Sequence, residues 1–481
     1  MELLSAVQEA QQNALDPTDY RIAADAGPSP ASVATVELAR ARRDVILTEL
    51  FINYARDLSR GRVIHPRFYP SKEPDVGAGL ERAVTQHRVA EVLAELTPGH
   101  PGYRRLLAAV FAYRRMATQG EPPLLAEGPL LKKGEKDPRV VALRTRLVAF
   151  GDLSPQAPRE PGKNAQRVYD RAVEAAVKAF QRRHGLGVDG QVGELTRALL
   201  NVPILDRARQ LELNLERWRW LPADLGGRYV LVNIPDYRLR VIERSASGGG
   251  ETEASVLEMR VVVGVVEQPT PALSATISRL ILNPYWNIPR KIAEREMFPQ
   301  LAKDPNYLAR KQIEVVRRTD HRRVDPLTVN WRNPAWRQHY RLRQEPGPEN
   351  AMGQMKFILH NPFGVYLHDT PKQHLFAQRK RAGSHGCIRV ERPSDLAVYL
   401  LADSEWSGEG ITTALATGAN QHIDLPQQVP VHLVYLTAWV DDDGSVQFRD
   451  DAYGEDAALD AALRKEFGSL RLRFCLQTAT Q

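Results

Sequence analysis

The feature that most constrains the fold is a change of hydrophobic period between Trp220 and Arg228. Before it, apolar residues recur three and four apart: Leu38, Ala41 and Val45; Leu47, Leu50, Phe51 and Tyr54; Val140, Leu143 and Leu147; Val173, Val177 and Phe180; Leu211 and Leu215. After it, the segments Tyr229 to Ile234, Arg238 to Ile242 and Met259 to Val266 are rich in Val, Ile and Leu and are separated by turn formers such as Gly248, Gly249 and Gly250. Further short strands are expected at Ile277 to Leu282, Lys356 to Leu359, Val365 to Leu367 and Val431 to Trp439. Helices followed by strands in one chain predict an α+β multidomain protein, and short strands with frequent turns predict a mostly-β sandwich at the C-terminal end. The chain has 481 residues, which at ~100–200 residues per domain allows two to four domains.

Proline and glycine set the boundaries. Pro66, Pro70 and Pro74, then the run from Pro98 to Gly102, punctuate a helical scaffold over 1–125, and Glu121-Pro122-Pro123 opens a linker. No cluster of catalytic residue types stands in that scaffold. A compact unit follows over 126–202, and the rest, 203–481, carries the strands, with an Arg- and Trp-rich insertion at about 291–343 that reads as a helical cap over one end of the sheet. The net charge of +7 is a modest field over so long a chain and gives no nucleic-acid signature. No apolar run reaches the ~18–20 residues of a membrane span, and the start, Met-Glu-Leu-Leu-Ser, lacks a basic stretch followed by an apolar one. Cys387 and Cys475 are the only cysteines, too few for a disulfide framework. Cys475, in the apolar stretch Leu470 to Leu476, reads as core.

The compact unit has an ordered set of motifs: Leu131-Lys132-Lys133-Gly134, Val140-x-x-Leu143, Ala176-Val177-x-x-Phe180-Gln181 and Gly185-Leu186-x-x-Asp189-Gly190-x-x-Gly193-x-x-Thr196. Together they resemble the three-helix peptidoglycan-binding domain family. That resemblance implies glycan binding, although a copy kept only as a spacer would carry the same pattern.

The strongest chemical signal is Ser384-His385-Gly386-Cys387-Ile388-Arg389. A cysteine becomes a nucleophile when its pKa of ~8.5 is lowered by a cation, a helix N-terminus or an adjacent base. Gly386 allows close backbone approach, the N–H groups of Gly386 and Cys387 are candidate oxyanion donors, and the helix expected from Pro393 to Leu401 offers its positive end, so the reading favours the thiolate. A base stands at a strand end in Tyr366-Leu367-His368-Asp369-Thr370-Pro371, a loop's length before the cysteine. Asp369 reads as a turn cap, not as a triad acid.

The histidine, loop and Ser-His-Gly-Cys pattern resembles the active-site signature of the L,D-transpeptidases, cysteine enzymes that cross-link peptidoglycan. Asn283-Pro284-Tyr285-Trp286-Asn287-Ile288-Pro289 and Val431-His432-Leu433-x-Tyr435-x-Thr437-Ala438-Trp439 extend the resemblance to the large members with a scaffold, a peptidoglycan-binding module and a capping insertion. Arg389 stands where many smaller members have Asn, and the larger subgroup commonly has Arg. The resemblance implies that Cys387 is the nucleophile and His368 its base. It implies that His385 and the amides of Gly386 and Cys387 hold the oxyanion region, and that Tyr366, Arg389, Ser384 and Trp286 line or order the substrate site. It further implies 3→3 cross-linking by acyl transfer from a tetrapeptide stem with release of D-alanine. No cofactor or metal is implied. The implied partners are peptidoglycan stem peptides and glycan, with carbapenem-type β-lactams as inhibitors and envelope protein partners left open. The location implied is the periplasm or cell envelope, with any signal or anchor absent from the chain as given.

Two other readings compete. His360, His368, His374, His385 and Cys387 are zinc-type ligands, but no short paired spacing such as C-x-x-C or H-E-x-x-H accompanies them. A catalytically inactive or partner-dependent cell-wall binding scaffold is the alternative from another class. Trp286, Trp331 and Trp336 read either as a glycan or peptide groove or as core.

Overall fold

The computed structural model describes residues 2–20, 33–63, 75–157, 164–247, 250–301, 303–304, 306–331, 333 and 335–464. Cys475 and the apolar stretch Leu470 to Leu476 lie outside these residues. The chain divides into two compact units, Met1–Asp224 with Tyr435–Gln481, and Leu225–Val434.

The first unit begins with α1 (Glu2–Gln8), α2 (Val33–Arg60), α3 (Val76–Thr85), α4 (Val89–Leu96) and α5 (Pro101–Thr118). Leu50, Phe51, Tyr54 and Leu58 of α2 bury one stripe against Leu3 and Val7 of α1 and Val92 and Leu93 of α4, which is the three-and-four spacing realised as a core. Asp75 caps α3 by accepting the Ala78 N–H at 2.8 Å, and Pro101 occupies the first turn of α5, where its missing N–H costs nothing.

The peptidoglycan-binding-like module is α6 (Arg139–Ala149), α7 (Arg171–Arg183) and α8 (Glu194–Leu200), closed over Val140, Leu143, Leu147, Val173, Val177 and Phe180. Its motif polar residues bind one another. The buried Gln181 amide donates to Asp189 Oδ1 at 2.7 Å and to the Gln191 carbonyl at 2.9 Å, and its oxygen accepts the Gly190 N–H at 2.8 Å. Thr196 Oγ1 lies 3.3 Å from the same amide. The Gln-Asp-Gly-Thr signature thus satisfies buried polar groups at a turn whose Gly190 sits at φ +72°.

Helix α9 (Ile204–Arg219) and the hairpin Ala438–Val440 with Val446–Phe448 also belong to the first unit, and α9 packs on α5. The reading that began the catalytic region at 203 therefore takes in segments that the fold assigns elsewhere. Leu211 and Leu215 bury their side chains completely, and α5 supplies the partner face. The expected strand Val431 to Trp439 is likewise divided, because strand pairing stops at Val434 and the hairpin begins at Ala438.

The second unit contains β1 (Arg228–Asn233), β2 (Arg238–Ser247), β3 (Gly250–Gly264), β4 (Leu273–Leu282), β5 (Trp286–Asn287), β6 (Ile313–Arg317), β7 (Arg323–Val324), β8 (Tyr340–Gln344), β9 (Met355–Leu359), β10 (Leu367–His368), β11 (Ala382–Ser384), β12 (Ile388–Val390) and β13 (Gln421–Val434). Nine of them form one sheet in the order β11-β3-β12-β10-β9-β4-β13-β1-β2, and β3 also pairs with β2. The expected sandwich is therefore built as one sheet curled back on itself, with the long β3 serving both margins. Closing a sheet in this way hides edges that would otherwise be open to pairing.

The insertion is a mixed element, not a purely helical cap. Strands β5, β8, β6 and β7 make an antiparallel four-stranded sheet that, with short helical turns, encloses its own core of Ile288, Met297, Leu308, Val315, Trp336 and Leu342. Alternate buried positions in β6, Ile313 and Val315, are the strand signal that Arg-rich composition masked.

Candidate active site

Three adjacent strands place the chemistry. In β9, burial alternates along Met355–Leu359, so Lys356 lies on the face opposite Met355 and Phe357. Strand β10 runs antiparallel to β9 with His368 opposite Lys356, and parallel to β12 with His368 opposite Arg389. Lys356, His368 and Arg389 therefore form one rung across the sheet, with the histidine in the middle.

The cysteine sits in the turn between β11 and β12. Gly386 has φ +103°, a conformation that disfavours any side chain. The Ser384 hydroxyl accepts the Gly386 N–H at 3.2 Å and donates to the Cys387 carbonyl. Buried Thr270 donates to the Gly386 carbonyl at 2.8 Å and accepts the Gly264 N–H at 2.8 Å, anchoring the turn to the end of β3. The Ile388 N–H donates to the Tyr366 carbonyl at 3.1 Å, joining the turn to the base-bearing segment.

His368 is buried, and its Nδ1 faces the carbonyl of Asp369. A carbonyl only accepts, so Nδ1 carries the proton and Nε2 keeps its lone pair. Burial, then the positive charge of Arg389, lowers the His368 pKa to about 3, so the ring is neutral at physiological pH. The Asp369 carboxylate is elsewhere, accepting the Gln354 N–H at 2.8 Å. This geometry keeps the Asp369 carboxylate away from the base, whose partner is the backbone carbonyl of the same residue.

The thiol departs from the sequence expectation. Burial pushes the Cys387 pKa up, and the opposing pull of Tyr366, Lys356 and Arg389 is smaller. The resting group is the thiol, not the thiolate, because desolvation outweighs the nearby cations. Sγ has the Gly364 carbonyl at 4.0 Å and the Tyr366 phenol as neighbours, and no hydrogen bond joins it to His368 among the described residues. The oxyanion expectation is also narrowed: the Gly386 N–H is engaged by Ser384, whereas the Cys387 N–H has no acceptor among the described residues.

Tyr366 bridges thiol and rung. Its ring lies 5.7 Å from that of His368, Lys356 Nζ sits 3.8 Å over its centroid, and its hydroxyl reaches Met352 Sδ at 3.6 Å. Burial and the neighbouring thiol raise the phenol's pKa, so it remains a proton donor.

Of the residues singled out from sequence, the structure gathers Cys387, His368, Gly386, Tyr366, Arg389 and Ser384. The His385 ring turns to the insertion, with Nε2 2.6 Å from Glu296 Oε1. Glu296 lies in the π-helical turn Ala293–Met297. Trp286 packs against the insertion's core, and Trp331 and Trp336 meet there edge to face with centroids 5.3 Å apart, an arrangement that matches the core reading of these tryptophans. His360 pairs with Ser278 at 2.8 Å, and among the described residues no group of three or more His, Cys, Asp or Glu is arranged to hold a metal. Sequence reasoning missed Lys356, Thr270 and Glu296. For Lys356 the signal was present: a lysine within the apolar strand Met355–Leu359.

Residues 227–406 match the family described as L,D-transpeptidase catalytic domain, 1–110 the Scaffold domain, and 136–200 the peptidoglycan binding domain. A Haemophilus influenzae protein that carries the name of an inferred L,D-transpeptidase is 32% identical over 254 residues, or 53% of this chain. The chain aligns with about half (49%) of that relative's length. Among solved structures, Bdellovibrio bacteriovorus Bd1075 matches at 13% identity and TM-score 0.18, covering 50% of this chain and 56% of that one. The L,D-transpeptidase of Xylanimonas cellulosilytica (residues 123–326) matches at 17% identity and TM-score 0.14, covering 64% and 99%. Among the described residues no helix is long and apolar enough to cross a membrane.

Proposed function

We propose, from the premise that residues 227–406 are an L,D-transpeptidase catalytic domain in a chain that also carries Scaffold and peptidoglycan-binding domains, that the protein forms 3→3 peptidoglycan cross-links in the cell envelope, in the periplasm. Cys387 Sγ attacks the carbonyl joining the third residue of a tetrapeptide stem to terminal D-alanine. The S–C bond forms, the C–N bond breaks, and the thiol proton passes through His368 Nε2 to the departing amine. The side-chain amine of a second stem then attacks the thioester, releasing the thiol.

The observation that carries this reading is a neutral, buried His368 with Nδ1 committed to a carbonyl, one strand from a cysteine in a glycine-strained turn. A protonated thiol beside a weakly basic imidazole does not form a resting ion pair, so proton transfer accompanies the attack. Tyr366, within hydrogen-bonding reach of sulfur, stabilises the charge that develops there. The Cys387 N–H is the open donor for the carbonyl oxygen, and His385 joins it only if its contact with Glu296 opens. Excluding water from the thioester falls to the insertion, since hydrolysis would end in a carboxypeptidase. Carbapenem-type β-lactams acylate the same thiol.

Intact-protein mass spectrometry with a tetrapeptide-stem muropeptide tests the proposal. A tripeptide-stem adduct with release of D-alanine on wild type, absent from Cys387→Ala, is the expected result. Folded protein that yields no adduct and no cross-linked product overturns it in favour of a cell-wall binding scaffold, the reading that a protonated thiol lacking a hydrogen bond to its base favours.

A further inference from the structure

The rung that carries the base contains two cations with unmet demand. Lys356 has no carboxylate or carbonyl acceptor among the described residues; its ammonium rests only on the face of Tyr366. Arg389 makes no side-chain hydrogen bond among the described residues, and its Nε is buried without a partner. Several other cations of the same unit are matched. Arg240 pairs with Glu258 at 2.7 Å, Arg279 with Asp424 at 2.6 Å and Arg244 with Glu253 at 3.5 Å. Arg381, which lacks a carboxylate, donates to the carbonyls of Val261, Gln378 and Tyr237 at 3.2, 2.7 and 3.0 Å. The acids nearest the site are committed, Asp369 to the Gln354 N–H and Glu296 to His385.

Two partly desolvated cations without acceptors, one on each side of the base, describe an anion site completed by a ligand. We propose that Lys356, with Arg389 beside it, binds the free C-terminal carboxylate of the acyl donor, making Lys356 the specificity-determining residue for a donor that ends one residue beyond the scissile bond. The inference rests on the transpeptidase reading and names what that reading leaves open, how the end of the stem is recognised. The chemistry fits the reach: the carboxylate of the departing residue lies three bonds from the carbonyl attacked by Cys387, and Lys356 is close enough to the sulfur for each charge to act on the other.

The test compares two synthetic tetrapeptide-stem donors, one with a C-terminal carboxylate and one with a carboxamide, by the rate of Cys387 acylation in wild type, Lys356→Met and Lys356→Arg. Wild type is expected to prefer the acid about tenfold or more, as for loss of a charge-assisted contact. The ratio falls towards one in Lys356→Met and is largely kept in Lys356→Arg. Any change in thiol ionisation caused by removing the cation acts on both donors and cancels in the ratio. Equal rates for the two donors on wild type overturn the proposal without recourse to a variant, as does an undiminished preference in folded Lys356→Met. Acylation by neither donor on wild type overturns the transpeptidase reading, and this inference with it.

Discussion

Buried cations of the first unit and the two cations beside the base in the second are treated in opposite ways. In the first, Arg219 is buried with Glu216 at 3.1 Å and the Tyr103 hydroxyl at 3.1 Å, and Arg183 holds Asp152 through contacts at 2.8 and 2.6 Å. Arg146, without a carboxylate, is wrapped by the carbonyls of Pro123, Leu200 and Pro122 at 2.8, 2.6 and 3.1 Å. In the second unit, Lys356 and Arg389 flank His368 with no such partners. Pairing a buried charge serves the fold, because an uncompensated one is costly. Leaving it unpaired beside a nucleophile stores a field that acts on whatever anion arrives.

Breaking a pair in the first unit gives the largest expected effect. Glu216→Ala strands Arg219 and also removes the acceptor of the Val63 N–H, 2.8 Å away, so denaturant unfolding should show a loss of about 3–5 kcal/mol. Removing a site cation has the opposite balance. Arg389→Met should leave stability within about 1 kcal/mol, because no partner is orphaned. The same change should shift the pH profile of Cys387 alkylation upwards, since Arg389 favours the thiolate. A profile that stays in place would mean that Arg389 does not act on the sulfur.

The buried base gives a pH signature. The His368 pKa falls from its ordinary 6.5 to about 3 on folding, so between these values the unfolded chain binds the extra proton. Its contribution to stability is therefore complete above about pH 6.5 and is lost as pH falls towards 3. His368→Gln should flatten the acid limb of a stability-versus-pH curve over that window, and an unchanged limb would argue against a neutral buried ring. The smallest effect is expected at the exposed His385 and Glu296 pair, whose side chains are 37% and 52% accessible. Glu296→Gln should change unfolding free energy by less than about 1 kcal/mol. A larger loss would show that the insertion depends on this contact.

Legibility in the sequence followed the range of the interactions. Helices such as Pro101–Thr118 and strands such as Arg228–Asn233 were visible because their periodicity is local. The Ser384 to Arg389 motif was visible because a strained glycine and its neighbours lie in one short turn. The closure of the sheet through β3 was not, since pairing partners leave no mark on local period. Nor were the strands of the insertion, whose charged faces obscure the alternation of Ile313 and Val315.

The chain by itself determined which side chains are available for chemistry: one cysteine after glycine, a histidine at a strand end, and an arginine two residues beyond the cysteine. Only the tertiary structure decided their states. Burial in the curled sheet outweighs the cations at the thiol and strips the proton from His368, and desolvation depends on atoms brought from every part of the unit. It also chose Lys356, because strand register, not sequence distance, sets that lysine opposite the base.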